Sequence, residues 1–264
     1  MFAPFNLDHP VYGISTVIEK ISNIKPIVNF DGTKVWVLDN IVIKGRGSTT
    51  LQEAYTMMLV KRRTQVPVPE VYACYMVENC TYIIMEKING KTLEEVIDTL
   101  SDIELSSIYN EIHKYIDELH KIKSEFYGNV DGTPYNDPFL HSDLNKTFPN
   151  YKEFNEYWIS KYSKHVTNTS VKLQRDLLSN KPNEAVLTHG DLVPRNIMIN
   201  EGCVSAIIDW GMSGFYPPFW DYMRMFDHDS KPRITDFVFP HLFKYSVEYL
   251  CYREIMNVVM KEIY

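Results

Sequence analysis

The spacing of hydrophobic and polar residues changes near residue 90. Before it, β-branched and aromatic residues form short runs bounded by Gly, Asn and Asp, which predicts antiparallel hairpins. One amphipathic segment that begins with Thr residues predicts a helix that ends before Pro67. The predicted strands are residues 34–38, 41–44, 71–77 and 81–86, and the predicted helix is residues 49–63.

Beyond residue 90 the apolar positions recur at helical spacing. In residues 105–124 they follow i, i+4, i+7, i+8 and i+11, which predicts a long amphipathic helix. Thr92 followed by Glu95 has the spacing of a capping box. The other predicted helices are residues 91–100, 154–178 and 237–264, and residues 127–149 are predicted to be an ordered surface loop.

Together these patterns predict an α+β fold with two lobes. Residues 1–88 are expected to form a small β-rich lobe with one helix, and residues 89–264 a larger, mainly helical lobe. A short hinge at residues 86–90 joins them. Because clefts between lobes are preferred small-molecule sites, the hinge is where a ligand is expected.

Composition narrows the class of protein. The chain has 264 residues, of which 45% are hydrophobic and 23% are charged, and this balance is typical of a globular protein with a full core. The formal net charge is −7 and the sequence has no long basic run. Binding to nucleic acid needs clustered Lys and Arg, so a neutral or cationic partner is expected instead.

The cysteines and the N-terminus indicate the compartment. Cys74, Cys80, Cys203 and Cys251 show no CxxC spacing, which predicts neither a disulfide scaffold nor a zinc site. Residues 1–10 lack the features of a secretory signal, and no apolar run approaches the roughly 20 residues that a membrane span needs. We therefore expect a cytoplasmic protein with no membrane contact and no obligate protein partner.

The most informative stretch is residues 187–210, LTHGDLVPRNIMINEGCVSAIIDW. Two apolar runs, 197–199 and 204–208, flank an Asn-Glu-Gly turn and predict a hairpin. Pairing these runs brings Asn196 and Asp209 to the same end of the hairpin. Asp191, on the segment leading in, is then expected to lie close to both.

Three oxygen-bearing side chains in one place suit phosphoryl transfer. Mg²⁺ prefers oxygen ligands and usually takes one or two carboxylates, with waters and substrate phosphates completing its shell. Asp209 and Asn196 supply a carboxylate and a carbonyl oxygen. Asp191, near the metal but not bound to it, is suited to accept a proton from an attacking hydroxyl.

The same residues carry a family resemblance. His189-x-Asp191-x-x-x-x-Asn196, with Asp209 thirteen residues later, resembles the catalytic loop and metal-binding Asp of the protein-kinase-like superfamily. His-Gly-Asp-Leu with Ile-Asp-Trp is similar to the aminoglycoside phosphotransferase and choline kinase branch. HGDLVPRNIMI and IIDWGMSGFYPPFWDYMR more narrowly resemble fungal proteins of the phosphotransferase enzyme family.

The resemblance implies a two-lobed kinase-like fold, and ATP- and Mg²⁺-dependent phosphoryl transfer with Asp191 as the base and Asn196 and Asp209 as metal ligands. It also implies that His189 orients the loop and that Asp221 buttresses it from a following helix. Arg195 is either a positive charge near the transferred phosphoryl group or a solvated or ion-paired side chain.

The family resemblance also implies which residues bind the nucleotide. The resemblance implies a strand Lys that holds phosphates and pairs with a helix Glu, and Lys44 and Glu53 match these positions. A Lys at the end of a buried strand needs an anionic partner. The alternative is an exposed Lys and a surface Glu. The resemblance also implies that the Glu86 carbonyl and the Ile88 amide contact the adenine edge.

Two departures from the family pattern leave alternatives open. The first hairpin, residues 29–38, holds only Gly32 where protein kinases have a Gly-rich loop, so a nucleotide-binding pseudokinase is the alternative function. No Ala-Pro-Glu segment follows Asp209. This absence disfavours a protein kinase and favours a small-molecule hydroxyl acceptor such as an aminoglycoside, amino alcohol or sugar.

Other residues are weaker candidates for function. One set is expected either to hold an amine by carboxylate and cation–π contacts or to pack the helical lobe. His141-Ser142-Asp143-Leu144 imitates the catalytic loop but lacks a ligand five residues after the Asp. Asp227-His228-Asp229 is a weak candidate for a metal cluster. The amine-binding set is Tyr216, Phe219, Trp220, Asp227 and Asp229.

Overall fold

A computed structural model of the chain describes residues 14–30, 32–136, 146–179, 183–228 and 232–259. These residues form two compact units. The first unit contains the described residues of Met1–Glu118 and Pro194–Ser213, and the second those of Leu119–Val193 and Gly214–Tyr264. The lobe boundary predicted at residue 88 stays a prediction.

Eleven strands and nine α-helices are found in the described ranges. The strands are β1 (Val28–Phe30), β2 (Thr33–Leu38), β3 (Ile41–Gly45), β4 (Val71–Val77), β5 (Cys80–Glu86), β6 (Lys91–Thr92), β7 (Lys123–Ser124), β8 (Ala185–Thr188), β9 (Ile197–Asn200), β10 (Cys203–Ile207) and β11 (Gly214–Tyr216). The helices are α1 (Ile14–Ser22), α2 (Leu51–Arg63), α3 (Leu93–Val96), α4 (Asp102–Leu119), α5 (Tyr151–Tyr162), α6 (Asn168–Leu178), α7 (Trp220–His228), α8 (Pro232–Leu242) and α9 (Ser246–Val259).

The first unit is built on a five-stranded antiparallel sheet with the order β1-β2-β3-β5-β4. The predicted hairpins are confirmed. Between β4 and β5, Glu78 and Asn79 both have positive φ angles, 48° and 62°. Two successive residues of this kind form the tight turn whose twist matches the flanking strands.

Helix α1 covers this sheet and was not predicted. Its sequence, ISTVIEKIS, is rich in β-branched residues, which lower helix propensity. Val17 and Ile21 are nonetheless buried against the sheet, in a cluster with Trp36, Ile43 and Ile84. Burial of one apolar face therefore stabilises a helix that local propensity does not favour.

Two helix starts in the first unit follow the sequence signals. The Thr50 side chain caps α2 by accepting a hydrogen bond from the Glu53 amide. Thr92 and Glu95 form the predicted capping box. The helix that follows Thr92 is shorter than predicted, since α3 ends at Val96. A second sheet of the unit has the order β10-β9-β6.

The second unit contains a three-stranded sheet, β11-β8-β7, and helices α5 to α9. Several predicted helix boundaries are wrong. Helix α4 ends at Leu119, and the last residues of the predicted helix 105–124 form strand β7. The predicted helix 154–178 is two helices, because Thr167 caps a new helix start at α6. A 3-10 turn, Phe243–Tyr245, likewise separates α8 from α9.

An aromatic cluster forms the core of the second unit. Phe154 lies at its centre, with ring centroids of Tyr127, Phe148 and Trp220 at 5.3, 5.6 and 5.8 Å. Tyr127 and Phe148 are buried and belong to residues 127–149, which were predicted to form a surface loop. The described ends of this segment are therefore anchored in the core, and residues 137–145 lie outside the described ranges.

Cys74, Cys80, Cys203 and Cys251 are free thiols. Burial, together with the nearby Glu53 charge, raises the pKa of the Cys74 thiol to about 12, which makes it unreactive. Within the described residues, no helix combines the length and the apolar character needed to cross a membrane.

Replacing Phe154 by Ala is expected to lower the free energy of unfolding by about 3–5 kcal/mol, because it leaves a cavity in the aromatic core. Phe243→Ala is the matched control, since the Phe243 side chain is 66% exposed, and a change within about 0.5 kcal/mol is expected there. Urea unfolding of both variants measures the difference. Equal losses would show that the cluster does not form the core.

Candidate active site

The predicted hairpin of β9 and β10 is present, with an irregularity in the register between Val204 and Ala206. Ile197 pairs with Ile207, and the Ile208 amide donates to the Asn196 carbonyl at 2.9 Å. Asn196 and the residue that precedes Asp209 therefore meet at the open end of the hairpin. The turn at the other end contains Glu201 and Gly202, both with positive φ.

Asp209 has an unusual backbone conformation. Its φ and ψ are 65° and 64°, in the left-handed region that non-glycine residues seldom adopt, at a cost of about 1 kcal/mol. The next residue, Trp210, is fully buried and its ring N–H donates to the Ile207 carbonyl at 2.9 Å. This anchor fixes the chain on the far side of Asp209, whose side chain is 53% exposed.

Lys44 lies between two carboxylates. Its Nζ is 2.7 Å from Glu53 Oε1 and 2.7 Å from Asp209 Oδ1. The predicted Lys44–Glu53 ion pair is thus present, and Glu53 is buried rather than on the surface. Sequence reasoning did not identify Asp209 as a second partner, because 165 residues separate it from Lys44.

Burial and the neighbouring carboxylates shift the pKa of Lys44 in opposite directions. Burial opposes the positive charge of Lys44, but Glu53 and Asp209 together outweigh it and raise the pKa of Lys44 above its ordinary value. Burial raises the pKa of Glu53, while Lys44 favours its charged form. Lys44 and Glu53 therefore each retain a charge in a largely desolvated place because the other is present.

A buried amide joins helix α2 to the segment after Asp209. The side-chain Nε2 of Gln52 donates to the Ser213 carbonyl at 2.9 Å and to the Thr56 hydroxyl at 3.0 Å. All three residues are buried. Sequence reasoning missed Gln52, although its place beside Glu53 at the start of the helix was visible. Both ends of the 209–213 segment are thus tied to elements of the first unit.

Of the two residues predicted to contact adenine, Glu86 is the last residue of strand β5 and Ile88 lies beyond it. Glu86 pairs with Ile41 of β3, its amide donates to the Glu70 carbonyl at 2.9 Å, and its side chain accepts from the Glu70 amide at 3.1 Å. Ile88 follows two residues later and is half-buried. Contact of these residues with an adenine stays a prediction.

In the second unit, strand β8 leads directly into His189-Gly190-Asp191. Asp221 on α7 accepts hydrogen bonds from the His189 amide at 3.0 Å and from the Gly190 amide at 2.9 Å. This is the buttressing contact that the resemblance implies. Burial raises the pKa of the Asp221 carboxyl, and His189, the two backbone N–H groups and Arg224 oppose that shift.

Arg224, also on α7, was not identified from the sequence. Its Nη2 donates to Asp191 Oδ1 and its Nε donates to the Gly190 carbonyl, both at 3.1 Å. Arg224 and Asp191 are both buried. The signal available in the sequence was the spacing from Asp221, because residues three apart lie on the same face of a helix.

His189 has a structural contact consistent with loop orientation. Its Nδ1 accepts a hydrogen bond from the Asp191 amide at 3.2 Å, and the side chain is fully buried.

Arg195 is half-buried in the 3-10 turn Pro194–Asn196, and its role stays a prediction. The expected proximity of Asp191 to the two metal ligands also stays a prediction, as these residues belong to different units.

The remaining candidates mostly have packing roles or fall outside the described residues. Tyr216, Phe219 and Trp220 are buried in the aromatic core, with Tyr216 stacked on Trp220 at 4.8 Å. Residues 141–144 and Asp229 lie outside the described ranges, as do the side chains of Asp227 and His228.

Replacing Lys44 by Met is expected to lower the free energy of unfolding at pH 7.5 by about 3 kcal/mol, because it leaves the buried Glu53 carboxylate unpaired. Burial holds the folded pKa of Glu53 above its unfolded value, so the variant is more stable where this carboxyl is protonated. Stability should therefore increase from pH 7.5 to pH 5, by more than in the unaltered protein.

Urea unfolding at both pH values measures this effect. The control is the double variant Lys44→Met, Glu53→Gln, in which the extra pH dependence should disappear. If the single and double variants respond to pH alike, Glu53 is not the group responsible.

Comparisons with known proteins bear on this site. Residues 41–250 match the model of the phosphotransferase enzyme family. The comparison with curated proteins found no matching sequence.

Solved structures of aminoglycoside phosphotransferases share the fold. A thermostable mutant of APH(4)-Ia is 17% identical, with a TM-score of 0.66 over 92% of this chain and 88% of that chain. APH(2'')-IIa in complex with gentamicin is 16% identical, with a TM-score of 0.55 over 98% and 96% of the two chains. ADP-bound APH(2'')-Ib is 15% identical, with a TM-score of 0.56 over 93% and 96%.

These likenesses, at such low identity, show the α+β kinase-like fold. The family match covers residues 41–250, which include Lys44, Glu53, Asp191, Asn196 and Asp209. The chain therefore belongs to the phosphotransferase enzyme family.

Proposed function

We propose that the protein is an ATP- and Mg²⁺-dependent enzyme that transfers the γ-phosphoryl group to a hydroxyl of a small molecule. The observation that carries this proposal is Lys44 bound by Glu53 and Asp209 at 2.7 Å each. A desolvated lysine whose charge is maintained by two carboxylates is suited to binding phosphate oxygens. Family membership supports the same reaction class.

On this proposal Lys44 binds nucleotide phosphates while Glu53 holds its ammonium group in place. Glu53 is almost fully buried and keeps one oxygen on Lys44, so the lysine remains oriented without competing solvent. The backbone of Glu86 and Ile88 at the end of β5 would hold the adenine. The ADP-bound neighbour supports nucleotide binding by this fold.

The donor set fits Mg²⁺. Asp209 offers a half-exposed carboxylate and Asn196 an amide oxygen, both at the open end of one hairpin. Across the described part of the chain, no three His, Cys, Asp or Glu side chains gather to hold a metal by themselves. That pattern suits an ion that takes few protein ligands and completes its shell with phosphates and water. When bound, Mg²⁺ would neutralise phosphate charge.

Asp191 is the proposed general base. Arg224 holds one carboxylate oxygen, and His189 and Asp221 fix the backbone around it. A carboxylate with a fixed orientation is suited to accept the proton of an acceptor hydroxyl as the oxygen attacks phosphorus.

The acceptor is proposed to be a hydroxyl compound that carries amines. A net charge of −7 favours a cationic ligand, and the gentamicin complex of a structural neighbour provides one example in this fold. Buried Tyr216, Phe219 and Trp220 pack the core, so acceptor contacts are expected from other side chains.

A pseudokinase is the second candidate function. It is favoured by the first hairpin, where β1 and β2 flank Gly32 in place of a Gly-rich loop. Such a protein would bind nucleotide without transferring phosphate.

Asp191→Asn is expected to reduce kcat by a factor of about 100 to 10,000, because the acceptor proton then has no base. Coupled measurement of ADP release against a panel of aminoglycosides, amino alcohols and sugars provides the assay. Asp176→Asn on the exposed side of α6 is the control and should retain full activity. Retention of activity by Asp191→Asn, at equal concentrations of folded protein, would exclude Asp191 as the base.

ATP with Mg²⁺ is expected to raise the Tm of the protein more than ATP alone, because a ligand that binds only the folded state stabilises it. Asp209→Asn should lose the metal-dependent part of this shift, while Asp176→Asn should keep it. Thermal unfolding with and without Mg²⁺ measures both effects. Stabilisation by ATP that is independent of the metal would favour the pseudokinase.

A further inference from the structure

We propose that Arg224 is a positioning residue that sets the orientation of the Asp191 carboxylate for phosphoryl transfer. This inference rests on the proposed function, in which Asp191 is the base. Arg224 itself touches neither nucleotide nor acceptor in this proposal; it acts through Asp191 and the backbone of Gly190.

Arg224 makes two hydrogen bonds to the loop that contains Asp191. The guanidinium donates through Nη2 to Asp191 Oδ1 and through Nε to the Gly190 carbonyl, each at 3.1 Å. Two N–H donors of the planar guanidinium thus hold the Asp191 side chain and the carbonyl of the neighbouring Gly190. Gly190 has a φ of 83°, a left-handed conformation that suits glycine, so the loop turns sharply where Arg224 holds it.

Burial makes the pair interdependent. The side chains of Arg224 and Asp191 are 7% and 6% exposed. Removing one charge leaves the other desolvated without this oppositely charged partner, whereas removing both charges does not. Asp221, one helical turn before Arg224, adds a second carboxylate on the same face of α7.

Asp221 and Arg224 have separate tasks. Asp221 accepts hydrogen bonds from the amides of His189 and Gly190 and so holds the backbone of the loop. Arg224 reaches the Asp191 carboxylate itself. Without Arg224, the carboxylate loses a contact that orients it, and fewer encounters have the base within hydrogen-bond reach of the hydroxyl. Loss of Arg224 should therefore lower kcat rather than weaken nucleotide binding.

The test compares Arg224→Gln and Arg224→Lys with a matched control. For equal concentrations of folded protein, Arg224→Gln should lower kcat about 10- to 100-fold with the KM for ATP unchanged. Arg224→Lys, which restores the charge but not the planar fork, should recover part of the loss. Arg175→Gln is the control: Arg175 is exposed and bound to Glu156, and kcat should not change. An unaltered kcat in folded Arg224→Gln would overturn the proposal.

A double-mutant cycle measures the coupling between the two charges through stability to urea. Asp191→Asn and Arg224→Gln should each lower stability to urea, and the double variant should be more stable than the sum of the two losses implies. Strict additivity would show that the two charges are not coupled and would overturn the proposal.

A second measurement does not depend on activity. Arg224→Gln should accelerate amide hydrogen exchange at least tenfold in the peptide that contains residues 189–191, with exchange in α4 unchanged. Unchanged exchange at 189–191 would contradict the positioning role. If the unaltered protein transfers no phosphate to any acceptor, the proposed function fails, and the exchange result still decides whether Arg224 orders the loop.

Discussion

A lysine bound between two carboxylates is the interaction on which the arrangement of the first unit depends. Lys44 comes from strand β3, Glu53 from helix α2 and Asp209 from the segment after strand β10. The buried Lys44 and Glu53 charges each need an oppositely charged partner, and Asp209 also binds Lys44, so three elements that are distant in sequence are connected. Gln52, bound to Ser213, strengthens the same connection between α2 and the 209–213 segment.

The second unit also contains a buried cation that is paired with a carboxylate. There a buried guanidinium, Arg224, holds the Asp191 carboxylate, and a second buried carboxylate, Asp221, holds the neighbouring amides. In the first unit Lys44 contacts two carboxylates, whereas in the second unit Arg224 contacts one carboxylate and Asp221 accepts hydrogen bonds from the backbone. Several buried charged groups, such as Asp191, Asp221 and Arg224, thus lie in the segments that carry the family motif, while aromatic side chains such as Phe154 form the core of the second unit.

Local features were predictable from the sequence because their causes are local. The Thr50 cap, the Thr92 capping box and the hairpin of β9 and β10 each depend on residues a few positions apart. The contact of Asp209 with Lys44 was not predictable, since only tertiary structure brings them together. Helix α1 was missed for the same reason: burial of Val17 and Ile21 outweighs a sequence with low helix propensity.

The partners of Lys44 differ in a way that matters for ligand binding. Glu53 is 1% exposed, whereas the Asp209 side chain is 53% exposed, so only Asp209 can readily exchange its partner with solvent or a ligand. The Asp209 backbone is held in the left-handed region by the hairpin on one side and by buried Trp210 on the other. On the proposed function, the Asp209 carboxylate would turn from Lys44 toward the metal, while the Lys44–Glu53 pair keeps the lysine in place.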